Sequence, residues 1–324
     1  MEMRFHAQLE QPYPNAMLAT INVALDGKLI GLWSAGDLAQ RTPDGCYAFS
    51  RTRQPVAATV TVYEGSQIAN AIELPELQLN FPSVQLSNDE LWVIGGRCRY
   101  HNGPEDNAEL YNLDGKLVRK GCLGDCINWV RQTPAGNLWV GYGDEGVFGN
   151  KGWGLQPGGG GYIEPLGANG IVLWDNNFTK IYEPDCGGDI CDAYAGTLVG
   201  EDLWASTYVD FPIRHFTTNS SVAFPTSDSG VRALITNQQL VATIGEYGYP
   251  LSYRVWDITR VPNHATFITG GELSLPRSYR TPLAEKLRPN LLGFGQELNM
   301  LIDQNWFKID ISQLAPRPLR SALL

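Results

Sequence analysis

The chain has 324 residues, 43% hydrophobic and 18% charged, a balance that buries a large core and excludes the disordered and collagen-like classes. Its formal charge of −10, with no compensating Lys/Arg cluster, excludes nucleic acid as a partner and leaves small cationic or neutral molecules, peptides and proteins. No stretch approaches the ~20 apolar residues of a membrane span, the N-terminus lacks a signal-peptide core, and the cysteines are too sparse for a disulfide scaffold; the expectation is a cytoplasmic protein with no membrane association.

Taken in order, the chain opens on a short strand, Met3 to Pro12, that ends in the manner of Ile72-Glu73-Leu74-Pro75 and Ile181-Tyr182-Glu183-Pro184. Then a leucine-led apolar run recurs after a turn: GKLIGLW from Gly27, DELWVIG from Asp89, GNLWVGY from Gly136, EDLWAST from Glu201, QQLVATI from Gln238 and QELNMLI from Gln296, six copies in all. A second apolar run precedes each copy across an Asp/Asn/Gly turn, which predicts a hairpin, and another strand pair follows after a loop of variable length. The unit is a four-stranded antiparallel meander, and the chain is predicted to be all-β, a six-bladed β-propeller in one domain over 1–324. In the sixth copy the outer strand is missing, because after Ile309 the chain reaches a proline-broken tail, 311–324, containing Ala315-Pro316-Arg317-Pro318. Strand 3–10 supplies it, and pairing the termini hides the sheet edges. Pro282 to Leu287 alone reads as a helical turn or two, and Gly158 to Gly161, without the Lys-Ser/Thr of a phosphate loop, reads as a flexible insert.

Function is expected where each blade's second strand turns into its third, on the face shared with the connections between blades. Those loops carry Arg97 and Arg99, Asp144 and Glu145, Tyr208 and Asp210, and Glu246, a ring of carboxylates and tyrosines with one arginine-rich sector. The same residue types also serve as ordinary solvated loop residues. The stretch Asn137 to Trp153 is the sharpest case: its first half repeats, and its second half, an acidic glycine-rich loop, does not. Asp144, Glu145 and Trp153 are therefore the leading candidates, with Asp144 and Glu145 expected to face Tyr208 and Asp210 across neighbouring blades, or else to cap their own loop. Trp92, Trp139 and Trp204, at matching strand positions, are assigned to packing; Trp153 is expected to touch a ligand.

A second ring, Asn15, Asn80, Asp125, Asp189, Asp228 and Asn290, precedes the inner strands. Hard oxygen donors there suit Ca²⁺, with Asp125, Asp189 and Asp228 as metal ligands, whereas Asx turns would select the same residues. Cys122-x₃-Cys126 and Cys186-x₄-Cys191 occupy equivalent connections and admit a four-thiolate zinc site, disulfides or reduced structural thiols; Cys46 and Cys98 stand alone. No Gly-x-Ser-x-Gly elbow is present, and His6, His101, His215 and His264 lack metal-ligand spacing.

Two resemblances follow from these residues. Ile127-Asn128-Trp129 through Gly136-Asn137-Leu138-Trp139-Val140-Gly141 resembles the repeat of two-component-regulator sensor propellers, over one blade. Asp144-Glu145-Gly146-Val147-Phe148-Gly149-Asn150 with Gly152-Trp153, then Pro165-Leu166-Gly167, Gly170-Ile171-Val172, Asp192-Ala193-Tyr194 and Tyr208 to Pro212, is similar to a group of uncharacterised bacterial β-propeller proteins sharing a DEGVFGN-x-GW loop. Both imply the propeller fold and mark these loops; neither implies a reaction. The Asp/Asn ring falls where six-bladed hydrolases of the lactonase and gluconolactonase kind place a metal. The expected function is a non-catalytic binding or scaffold propeller for a polar small molecule, peptide or protein. A Ca²⁺-dependent hydrolase or lyase and a sugar-binding module are the alternatives.

Overall fold

A computed structural model describes residues 1–45, 48–87, 89–156, 160–186, 188–280 and 289–315, so Cys46, Pro282 to Leu287 and most of the tail lie outside the described residues. The chain is all-β. After β1 (Arg4–Gln8), the first sheet is formed in order by β2 (Met17–Val23), β3 (Leu29–Ser34), β4 (Arg51–Glu64) and β5 (Gln67–Leu79). The second follows as β6 (Pro82–Leu86), β7 (Leu91–Gly95), β8 (Ala108–Tyr111) and β9 (Leu117–Gly121). In the third, β10 (Ile127–Gln132) and β11 (Leu138–Tyr142) are separated from the outer pair by α1 (Asp144–Phe148) and the small ribbon β12 (Gly154–Leu155) and β13 (Tyr162–Ile163); β14 (Ile171–Trp174) and β15 (Lys180–Tyr182) complete it. The fourth comprises β16 (Asp192–Val199), β17 (Asp202–Tyr208), β18 (Ile213–Phe216) and β19 (Ser221–Phe224), and the fifth β20 (Ala233–Thr236), β21 (Leu240–Glu246), β22 (Tyr249–Val261) and β23 (His264–Glu272). In the sixth, β24 (Asn290–Phe294), β25 (Glu297–Ile302) and β26 (Asn305–Asp310) take β1 as their outer strand. These six four-stranded antiparallel sheets are the blades of a six-bladed β-propeller closed by the N-terminal strand.

Burial explains why the repeat was readable. Every residue of β3, β7 and β11 is buried, so these strands carry continuous apolar runs, whereas outer strand β9 has no buried residue and β5 mixes exposed with buried positions. Turn chemistry sets the hairpins: at Gly136 the backbone has φ 86, a conformation glycine adopts without penalty, and its N–H closes onto the Thr133 carbonyl at 2.9 Å.

The chain divides into two compact units, one formed by Leu9–Ala193 with Thr218–Ser220, the other by Met1–Gln8, Tyr194–Thr217 and the chain from Ser221 onward. In the first, Ile30, Leu32, Val60, Val84 and Val93 join one core cluster, and Val130, Leu138, Val140 and Val172 another. In the second, β1 pairs with β26 in the register Arg4↔Lys308 and Phe5↔Phe307, and Phe5 stacks on Tyr279 at 4.6 Å.

Two short helices depart from the sequence expectation. The acidic loop after Gly143 is one helical turn, α1, with Asp144 and Glu145 where the positive end of the helix favours carboxylates. The start of the expected tail is α2 (Ile311–Leu314), held by a capping box in which Asp310 accepts from the Ser312 N–H at 2.8 Å and Gln313 reaches back to the Asp310 N–H. Among the described residues no helix is long and apolar enough to cross a membrane.

Candidate functional site

In the unit carrying the first three blades, the ends of second strands are laced to the heads of inner strands. The Gly96 N–H donates to Phe81 O, Ile127 N–H to Gly96 O and Gly143 N–H to Cys126 O, at 3.0, 3.0 and 2.7 Å. This lacing brings Arg97, Asp125 and Glu145 together. One Arg97 Nη donates to Asp125 at 3.0 Å and to Glu145 at 2.5 Å, and the other Asp125 oxygen accepts the Cys98 N–H at 2.7 Å. Asp125 is only 3% exposed, and burial raises its pKa against the opposing pull of Arg97. Glu145 moves the other way: despite the cost of its own partial burial, hydrogen bonding from Asn150 and the Arg97 charge hold it below the ordinary range.

The insert after α1 is knitted to the β7–β8 loop. The Tyr100 N–H donates to Lys151 O at 2.9 Å, and a Cβ on Gly152 would overlap the Tyr100 carbonyl. Trp153 is 5% exposed, gives its indole N–H to Cys98 O at 3.1 Å and meets the Tyr100 ring edge-on at 5.0 Å. Trp153, expected to touch a ligand, is buried here and anchors the insert. Trp92, Trp139 and Trp204 are buried in the blades, as their strand positions implied.

Asp144 accepts the Glu145 N–H at 2.7 Å, so it does stabilise its own turn, while its side chain remains exposed. Nearby stands Asp192, at the head of β16. Asn128 donates to Asp192 at 2.7 Å and to Ala193 O at 3.1 Å, and the Trp129 indole N–H also reaches Ala193 O, at 3.0 Å. Burial, with the Asp144 charge added, pushes the Asp192 carboxyl up to about 6. A cavity of about 500 Å³ reaches Asn128, the partner of Asp192, and is lined by the heads of β2, β6 and β10 and by the β3–β4 loop, with Thr20, Ser34, Asp37, Ser83 and Asn128 as its polar members. Asn128 thus belongs both to the cavity wall and to the carboxylate pair, and a Cβ on Gly143 would sit 3.1 Å from its amide oxygen.

Asp192 and Asn128 were absent from the candidates read from the sequence. Both lie inside the resembling segments, Asp192-Ala193-Tyr194 and Ile127-Asn128-Trp129, which was the available signal. Arg99 is exposed, with its backbone N–H on Glu105 at 3.2 Å.

Tyr208, Asp210 and Glu246 belong to the other unit. There Arg254 pairs with Glu246 and approaches Asp228 at 3.5 Å. Asp228 is buried, and burial raises its pKa. Asp210 and Phe211 have φ 64 and 48, a bend that drives the Phe211 ring inward, where Tyr194, Tyr208 and Tyr247 surround it at 5.0, 5.6 and 5.8 Å. Tyr208 is 43% exposed on this cluster, and Asp210 is exposed.

Three of the Asp/Asn residues before inner strands act as staples. Asn80 accepts the Gln40 N–H at 2.9 Å and donates to Gln40 O and Phe49 O, while Asp125 and Asp228 each face an arginine. Asp189 and Asn290 are exposed. Among the described residues no group of three or more His, Cys, Asp or Glu is arranged to hold a metal ion, and of the expected Ca²⁺ ligands Asp125 and Asp228 each face an arginine instead. Those arginine partners are invisible in a pattern of Asp/Asn positions.

No family model and no curated protein matches the sequence. Solved structures do. Hsv2 of Kluyveromyces lactis is 11% identical, with 92% of this chain and 75% of that one covered and a TM-score of 0.50. Hsv2 of Kluyveromyces marxianus is 11% identical over 92% and 78% of the two chains, with a TM-score of 0.47. At this identity the likeness is one of fold.

Proposed function

We propose that this chain is a binding propeller that takes a small polar ligand bearing a positive charge, seated in the cavity at the heads of β2, β6 and β10 with its cationic group toward Asp144 and Asp192. The observation that carries this reading is the state of Asp192. Its carboxyl is held up to about 6 by burial and by the charge of Asp144, and among the described residues neither carboxylate has a Lys or Arg partner. Elsewhere in the same unit the buried Asp125 does have such a partner. A carboxylate whose ionised form is disfavoured by burial and by a neighbouring negative charge is relieved by a cation beside it. The cavity volume suits a small molecule, and the overall charge of −10 draws a cation inward.

Thermal melts of the full chain with a panel of primary and quaternary amines, beside neutral and anionic analogues of matched size, test this reading. At pH 7.5 an amine at one hundred times its Kd stabilises by ~2.7 kcal/mol, and the shift shrinks as pH falls below 6 and Asp192 takes a proton. Equal shifts from neutral and anionic analogues, or none from any amine, would refute it.

A further inference from the structure

A second chemistry lies behind the Arg97–Asp125 pair. Cys98 and Cys122, separated by 24 positions, bring their sulfurs to 3.3 Å. Cys126, the neighbour in sequence, sits instead against Gly143, where a Cβ would come 2.8 Å from its sulfur. We propose that Cys98 and Cys122 are a modification site, a dithiol that closes to an intramolecular disulfide by exchange with a low-molecular-weight disulfide. This inference does not rest on the proposed cationic ligand.

Each thiol is placed by its surroundings. Cys98 is buried and clamped at three points: its N–H on Asp125 at 2.7 Å, its carbonyl under the Trp153 indole at 3.1 Å, and its sulfur 3.2 Å from Glu105 O. Cys122 is half-buried and its sulfur accepts the Gly124 N–H at 3.3 Å. A disulfide needs the sulfurs at ~2.05 Å, so closure requires a side-chain displacement of little more than an ångström.

Access orders the two steps. Cys98 is buried whereas Cys122 is only half-buried, so a small disulfide reaches Cys122 first and Cys98 is the resolving partner. Cys122 gives its proton to solvent, and its thiolate attacks one sulfur of the small disulfide, forming a mixed disulfide and expelling one small thiolate. Cys98 then loses its proton and attacks the Cys122 sulfur, expelling the second. Two protein thiols are oxidised, one small disulfide is reduced to two thiols, and the released protons end on those thiols.

The bond would join the β7–β8 loop to the β9–β10 connection, locking the corner that holds Asp125 and Trp153. It also closes the chain from 98 to 122 in the unfolded state, which raises the melting temperature of the oxidised form.

Oxidised glutathione is the probe. The full chain, reduced and then equilibrated with graded ratios of oxidised to reduced glutathione, is alkylated and mapped by mass spectrometry without further reduction. The expected result is a Cys98–Cys122 linked peptide lighter by two hydrogens than the pair of thiols, reversed by dithiothreitol together with its gain in melting temperature. Cys98→Ser should trap glutathione on Cys122. Linkage of Cys122 to Cys126, or glutathione accumulating on Cys122 of the unsubstituted chain while Cys98 stays alkylatable, would overturn the proposal, and that map decides even where the variant does not fold.

Discussion

Arg97 and Asp125 meet at 3.0 Å with Asp125 almost fully buried, so the guanidinium is what allows a carboxylate to lie beneath the loop face. Removing one partner of a buried pair leaves the other unneutralised, which costs about 3–5 kcal/mol, whereas replacing both by apolar residues is often neutral. Arg97→Ala should therefore destabilise strongly in urea unfolding at neutral pH, and Arg97→Met with Asp125→Leu should recover most of the loss. The sign of the pH dependence follows from Asp125. Its folded pKa is already raised and climbs further without Arg97, so the penalty of Arg97→Ala is fullest at alkaline pH and shrinks as acid protonates the carboxyl. A small, pH-independent loss would show that Asp125 does not depend on Arg97.

The Trp153 anchor makes separate demands. Gly152 has φ 94 and lies against the Tyr100 carbonyl, so Gly152→Ala is strained in conformation as well as in space and should cost about 1–3 kcal/mol. Trp153→Phe loses the bond to Cys98 O and should cost about 1 kcal/mol while leaving amine binding intact. If Trp153→Phe abolished binding with no loss of stability, the indole would be a ligand contact after all.

Closure of the sixth blade by β1 can be tested by deleting residues 1–8. The register Arg4↔Lys308 and the stack of Phe5 on Tyr279 are lost, and β26 is left with an unpaired edge. Light scattering should report oligomers or aggregates alongside a lowered melting temperature. A monomer of undiminished stability would contradict the closure.

The fold was legible because packing is repetitive. β3, β7 and β11 are buried throughout, so their apolar runs stand out at each recurrence, and the shared ending of Met3 to Pro12 with other outer strands pointed to β1 as the closing strand. The site was legible only where chemistry and chain position coincide. Arg97, Glu145 and Asp125 were all singled out from their loops, but their pairing was hidden because it joins residues from different blades. Trp153 looked available because it ends an acidic loop; its burial depends on Cys98 and Tyr100, more than fifty positions away. Asp192 resembled any strand-leading aspartate, since its environment is made by Asn128 and Asp144 from another blade. Cys98 seemed solitary for the same reason.

The central claim is that Asp192 is kept at a cost to stability because it serves a cationic ligand, and the pH dependence of Asp192→Asn stability tests it most directly. Asp192 titrates near 6 in the folded chain against about 3.9 unfolded, so the folded state binds the extra proton between these values and the cost of ionisation is complete above about 6. Asparagine keeps an oxygen for Asn128 and carries no charge. Unfolding in urea should therefore find Asp192→Asn more stable than the unsubstituted chain at pH 7.5 by about 1–2 kcal/mol after allowance for solvent screening, with the difference gone by about pH 4. Adding a stabilising amine at pH 7.5 should reverse the order. An Asp192→Asn chain less stable than the original at pH 7.5, or stabilised by the amine just as well, would contradict the account.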